Sequence, residues 1–271
     1  MRRADASVRE RTVTTYPFPS SRRLVTAAVR AGRRIAPMHG LLEVDVTTAR
    51  RLLAESEPPL SFTAFIIASL GRAAAMHPAV HAYRDWRGRL VQHRHVDVQT
   101  LIEVQTDQGP FGLVHVIRDA DIRDVADITA ELRAVKHHPA TTKSGRLLTT
   151  LAPALGRIPG LYRLMFAAMS RSRRVHRQSG TVQVSAVGMF AGGAGFAVAP
   201  PTLASLLVIV GGVSRRPAVV DHDRIEIRDI LDLTVTIDHN IVDGGPATRF
   251  GAELRHYLST AAALTPPADR T

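Results

Sequence analysis

The run Ile230-Leu231-Asp232-Leu233-Thr234-Val235-Thr236-Ile237 leads directly into Asp238-His239-Asn240-Ile241-Val242-Asp243-Gly244-Gly245. The first half alternates apolar and polar residues, as a half-buried strand does, and Pro246 to Leu258 returns to helical spacing. A strand that ends on a histidine holds an imidazole rigidly at the mouth of a sheet. The Asp four residues on, followed by two glycines, suits a turn that folds a carboxylate back to support the ring. A general base is mounted in this way, because imidazole titrates near neutrality and a fixed neighbour sets its tautomer. His-x-x-x-Asp-Gly alone fits equally well a strand end with a surface histidine and a DG turn. The upstream sequence gives it weight.

Thr181-Val182-Gln183-Val184-Ser185 alternates into a strand that stops at Ala186-Val187-Gly188, and a glycine-rich loop follows with Gly192, Gly193 and Gly195. Ala204 to Val213 is a continuous apolar run, read as a fully buried strand. Val219 to Ile227 reads as an exposed hairpin turning at Asp221-His222-Asp223. Nearer the N-terminus, residues 1–16 read as a mobile basic arm. Ser20 or Ser21 caps a helix over Arg22 to Ile35, and Leu41 to Val46 alternates as a strand. Thr47 is expected to cap a helix over Thr48 to Ala54. Leu60 to Met76 is apolar nearly all round, so it should be a buried helix. Strands follow over Ala82–Trp86, Leu90–His93, Val96–Thr106 and Gly112–Ile117, with turns at Arg87-Gly88 and Asp107-Gln108-Gly109-Pro110. Ile122 to Val135 is helical. Helices and strands mix without strict alternation, which argues for an α/β or α+β two-layer sandwich with a mixed sheet and against a doubly wound fold.

Composition narrows the function classes. The chain has 271 residues, 45% of them apolar, and no cysteine. Disulfides, thiolate metal sites and a cysteine nucleophile are thereby excluded, and a cytoplasmic protein is expected. No signal peptide is visible, and Leu161 to Met169 is too short to span a bilayer. The net charge of +11 invites a nucleic-acid reading, but the basic residues are all Arg except Lys136 and Lys143, and they are spread along the chain. A basic surface also suits a phosphate-rich substrate such as coenzyme A, and nucleic acid is not expected as a partner. Residues 137–180 read as a helical insertion with breaks at Pro153 and Pro159-Gly160. Its helix over Leu161–Met169 suits a lid, an interfacial helix, or a helix packed on its own core. His93, His95 and Asp97 alternate as on one strand face, for which a solvated face is a better account than a metal site.

Taken in order, Gly180 to Phe190 with Ser185, Pro200-Pro201, and Asp238-His239-x-x-x-Asp243-Gly244 resemble the catalytic domain of dihydrolipoyl acyltransferases. These are the core subunits of 2-oxoacid dehydrogenase complexes, related to chloramphenicol acetyltransferase. Pro17 to Arg22, Glu43 to Thr47 and Gly112 to Asp121 extend the likeness over residues 17–258. The resemblance implies a chloramphenicol-acetyltransferase-like fold with helices on one face of the sheet, a single catalytic domain over residues 17–260, and a polar tail over 261–271. It implies acyl-CoA, plausibly acetyl-CoA, as cosubstrate and a homotrimer with sites between subunits. His239 would be the general base, Ser185 the oxyanion donor, usually from the neighbouring subunit, and Asp243 a structural residue paired with Arg22. Gly244 would support the turn.

The chain departs from the pattern at Asn240, where Arg is usual, and at Ala186, Ala199, Thr202 and His115. These changes leave the acceptor open, and the expectation is a stand-alone transferase acting on a small hydroxyl acceptor, for example a hydroxymethyl tetronate-type natural-product intermediate. Two alternatives stand beside it. One is a dihydrolipoyl acyltransferase core served by a lipoyl or carrier domain in trans, with no lipoyl group on this chain. The other is a non-catalytic trimeric scaffold, which the joint presence of Ser185, His239 and Asp243 opposes. A large cage is not expected, and no metal is required.

Overall fold

The computed structural model describes residues 14–18, 20–106, 109–138, 160–186 and 193–265. Its centre is the longest apolar helix of the sequence, α3 (Phe62–Met76), in which every residue from Ala64 to Ala74 is buried. Ser61 begins it by accepting a hydrogen bond from the Ala64 N–H, satisfying one of the open donors of the first turn. Gly71 lets α3 lie directly on the chain at Ala120: a Cβ there would sit 2.7 Å from the Ala120 carbonyl carbon.

A six-stranded sheet carries the rest, in the order β1-β8-β7-β6-β4-β5. Its strands are β1 (Pro37–Asp45), β4 (Val98–Thr106), β5 (Gly109–Ile117), β6 (Val182–Ala186), β7 (Leu206–Val220) and β8 (Arg224–Asp238). β6 runs parallel to both β4 and β7, and the other pairs are antiparallel, so the sheet is mixed as expected. Strands β2 (Tyr83–Arg84) and β3 (Leu90–Val91) form a separate hairpin. Asp85 shapes its turn by accepting from the Arg87 and Arg89 N–H groups, and it binds the Arg89 guanidinium.

One face of the sheet is covered by helices: α2 (Thr47–Glu55), α3, α4 (Val125–His137) and α7 (Gly244–Ser259). On that side β8 places Leu231, Leu233, Val235 and Ile237, and β6 places Val182 and Val184, all within the main core. The opposite face of β8 is polar yet buried, with Asp232, Thr234, Thr236 and Asp238 in a row. The segment 193–205 crosses that face. Thr202 donates to Gln183 Oε1, the Gly195 N–H donates to Asp232, and the backbone at Gly193 and Gly195 touches Gly211 and Gly212 so closely that neither of those two could carry a side chain.

Helices α1 (Ser20–Gly32), α5 (Leu161–Arg171) and α6 (Arg173–Ser179) complete the molecule. α5 packs on α1 through Phe166, Ala27 and Leu203, joined by Tyr162, Met165 and Met169. Of the three readings offered for Leu161–Met169, packing on the protein's own surface is what the structure shows. Residues 139–159 and the first two positions of the expected Asp107–Pro110 turn lie outside the described residues, and Gly109 and Pro110 belong to β5. Among the described residues no helix is long and apolar enough to cross a membrane.

Some local expectations are corrected. Thr47 does not cap α2: the N-cap position is Val46, and the Thr47 hydroxyl instead donates to Asp45 and accepts from the Asp229 N–H, tying β1 to β8. The strand into His239 starts at Arg224 and not Ile230, because β7 and β8 pair beyond the core as an arm that exposes Val219, Ile225 and Ile227.

Candidate active site

β8 delivers the histidine as the sequence implied. Its last residue is Asp238, and His239 is the first residue of the turn into α7. The turn is fixed through the main chain. The His239 N–H donates to the Ala36 carbonyl at 2.8 Å, and the Ile241 and Val242 N–H groups donate to the Asp238 carbonyl at 3.0 and 3.1 Å. Val242 is buried and anchors the far end. The imidazole itself is half-exposed and available to a substrate.

Asp243 supports the ring less than expected. Its carboxylate lies 3.9 Å from His239 Nδ1, outside hydrogen-bond range, and its side chain is 89% exposed. The structure does not bring Arg22 to Asp243 either. The segment just past the C-terminal end of α1 meets the turn, where the Arg34 and Ala36 carbonyls accept from Asn240 and His239. Arg22 stands on the first turn of the same helix, about 15 Å back at 1.5 Å per residue. Gly244 opens α7, where a Cβ would meet nothing within 4 Å, so its place needs no glycine for space.

Ser185 lies on β6, half-buried, on the sheet face opposite the helices. The register fixes its distance from His239. Ser185 is level with Ile209, and Ile209 with Thr234. His239 lies five residues beyond Thr234, so it stands about 17 Å further along the strands and two strands, about 10 Å, across the sheet. Within one chain the two residues are therefore on the order of 20 Å apart, and they cannot act on one carbonyl group.

The His93, His95 and Asp97 triplet is not on a strand face. It lies in the loop between β3 and β4, and each side chain has its own partner. His95 Nδ1 is 3.2 Å from Asp121, and Asp97 accepts from Arg118 and from the Asp119 N–H. His93 joins a buried aromatic stack that the sequence did not reveal. The His176 ring of α6 lies 3.6 Å from that of Tyr83 at an angle of 7°, and His93 is 5.8 Å from Tyr83. Burial, with repulsion from His93 and Arg34 behind it, pushes His176 down to about 3. Burial also pushes His81, beside the stack, down to about 4. A separate groove of about 590 Å³ runs between β1 and α7 along Met38, Leu42, Ile237, Ala247 and Gly251, and its lining includes neither His239 nor Ser185.

Comparison with known proteins matches residues 10–147 and 166–265 to the family model described as 2-oxoacid dehydrogenases acyltransferase (catalytic domain). Among characterised relatives, the dihydrolipoyllysine-residue acetyltransferase component of the pyruvate dehydrogenase complex of Mycoplasma capricolum is 24% identical over 87% of this chain and 48% of its own length. The lipoamide acyltransferase component of the branched-chain alpha-keto acid dehydrogenase complex of Bacillus subtilis is 23% identical over 81% of this chain and 46% of its own. The chain thus spans about half the length of these relatives. Among solved structures, the dihydrolipoamide acetyltransferase of Azotobacter vinelandii superposes with a TM-score of 0.68 at 17% identity, covering 94% of this chain and 95% of that one. A chloramphenicol acetyltransferase shares the fold at a TM-score of 0.53 and 16% identity, over 85% and 93% of the two chains.

Proposed function

The chain belongs to the 2-oxoacid dehydrogenase acyltransferase catalytic-domain family, and on that premise we propose that it moves an acyl group from coenzyme A to an acceptor, at a site completed by two copies of the chain. His239 of one copy takes the proton from the acceptor thiol or hydroxyl. The acceptor then attacks the thioester carbonyl, and the Ser185 hydroxyl of the second copy donates a hydrogen bond to the oxyanion that forms. When the tetrahedral intermediate collapses, the carbon–sulfur bond to coenzyme A breaks and the thiolate recovers the proton from the imidazolium. A base within reach lowers the cost of making the nucleophile, and a placed donor stabilises charge that exists only near the transition state. The observation that carries this reading is the pairing of a half-exposed His239 on a fixed turn with a Ser185 that only another copy could bring to it. A homotrimer, a closed ring of identical interfaces, is the assembly we assign to it.

Two acceptor classes compete, each with its own support. The names of the relatives favour a dihydrolipoyl thiol, presented by a domain in trans. Asn240, Ala186, Ala199, Thr202 and His115, all departures close to the family motifs, favour a small hydroxyl acceptor such as a natural-product alcohol. The test is release of coenzyme A from acetyl-CoA with dihydrolipoamide or with a panel of alcohols, wild type against His239→Ala. Turnover that depends on His239 with one acceptor class assigns it. Coenzyme A binding without turnover on either class rejects both, and failure to bind coenzyme A returns the chain to the scaffold reading.

A further inference from the structure

We infer that Asn240 is a positioning residue for His239, locking the turn that carries the imidazole to the end of α1. The inference rests on the role of His239 as base, and it starts from a deficit. With Asp243 at 3.9 Å and mostly in solvent, the ring has no carboxylate at hydrogen-bond distance among the described residues. Its position must come from the backbone beneath it.

That backbone is gripped at one buried carboxylate. Asp238 Oδ1 accepts from the Ala36 N–H at 3.1 Å, from the Asn240 N–H at 3.1 Å and from Asn240 Nδ2 at 2.7 Å. The same Nδ2 also donates to the Arg34 carbonyl at 3.1 Å. An amide nitrogen carries two hydrogens, so one short side chain serves the carboxylate on one side of His239 and the helix end on the other. The helix end is itself tied down. The Arg34 guanidinium donates to the Ala31 carbonyl at 2.7 Å and to the Leu203 carbonyl at 2.9 Å. The Ser205 carbonyl, two residues on, accepts from the Asp238 N–H at 2.9 Å. Three segments, 31–36, 203–205 and 238–240, thus close into a loop of hydrogen bonds around the histidine. Two side chains of the 238–240 segment reach across to residues 31–36: Asp238 to the Ala36 N–H and Asn240 to the Arg34 carbonyl, and Asn240 also ties the two together. In the sequence it stands where Arg is usual, and in the structure it is a two-bond clamp.

The test uses Asn240→Ala and Asn240→Asp. The second keeps the shape but removes both donated bonds and sets a carboxylate against Asp238. In each, kcat should fall on the order of 10- to 100-fold with KM within about twofold, because a small displacement of a catalytic group is felt in the chemical step and not in binding. Hydrogen exchange should quicken at the His239, Ile241 and Val242 amides while α3 stays protected. Unchanged exchange in both variants overturns the clamp. Quicker exchange with unchanged kcat overturns the positioning role. Should the wild type transfer no acyl group at all, the functional reading fails by itself, and with it the catalytic sense of the clamp, while the exchange data still decide whether the clamp exists.

Discussion

His239 draws its precision from neighbours that never touch a substrate, and the neighbour the motif advertises does little. At 3.9 Å and mostly in solvent, the contact of Asp243 with His239 is worth less than about 1 kcal/mol, so Asp243→Asn should leave urea stability within that margin. A larger loss would mean that Asp243 has a stronger partner. Ser185→Ala should cost on the order of 10²- to 10³-fold in kcat with little change in KM, the signature of a donor felt only by the oxyanion. A drop confined to KM would place Ser185 in binding instead. At this scale the sequence disclosed residue types and hid geometry. The places of His239, just past a strand end, and of Ser185, within a strand, were legible because alternation leaves a pattern in each. The Arg34 and Ala36 carbonyls were not, because they are main-chain groups that every residue carries. Arg22 was misassigned for a related reason: order along a helix does not tell which of its ends meets the loop.

Between elements, the contacts that matter are those with no room to spare. Gly71→Ala in α3 would place a methyl 2.7 Å from the Ala120 backbone. The helix must then shift, at a cost of roughly 1–3 kcal/mol, readable as a lower urea midpoint with an unchanged slope. The docking of α6 makes a pH-dependent prediction. The unfolded chain protonates His176 below about pH 6.5, whereas the folded chain resists until about 3. Between those values the unfolded state holds more protons, so stability falls as pH falls. The ring sits against Tyr83 and His93, with Arg34 and His81 adding to its repulsion of a proton. His176→Phe keeps the stack and removes two buried nitrogens that have no partner. Its Tm should therefore drop less between pH 7 and pH 5 than that of the wild type, and an equal drop would refute the assignment. The helices and strands themselves were largely legible, since α3 lies on the apolar run and β6 and α7 follow their spacing, whereas β1 starts at Pro37, four residues before its expected start. The exposed hairpin at the tip of the β7–β8 arm was legible too, with its turn at Asp221–Asp223; that its second strand runs unbroken into Ile230 to Ile237 was not. The stack of His176 on Tyr83 joins residues more than ninety positions apart, a closeness no local pattern encodes.

For the molecule as a whole, the sheet register is the decisive fact. It sets Ser185 and His239 two strands and on the order of 20 Å apart within one chain, so, on a site shared between copies, a variant lacking one should be rescued by a variant lacking the other. Ser185→Ala and His239→Ala proteins, each inactive or nearly so, should regain activity when unfolded, mixed in equal amounts and refolded together. In a closed ring of randomly mixed copies about a quarter of the interfaces pair an intact histidine with an intact serine, and recovered activity should approach that fraction. No recovery would mean that the two residues do not share a site. The same register turns catalysis into a matter of dosage. With the site shared between copies as proposed, a newly made copy would be chemically silent however well it folds, and activity would begin only when enough copies accumulate to meet. Output should then rise more steeply than expression at low abundance, and a cell carrying one defective allele of each kind would still work.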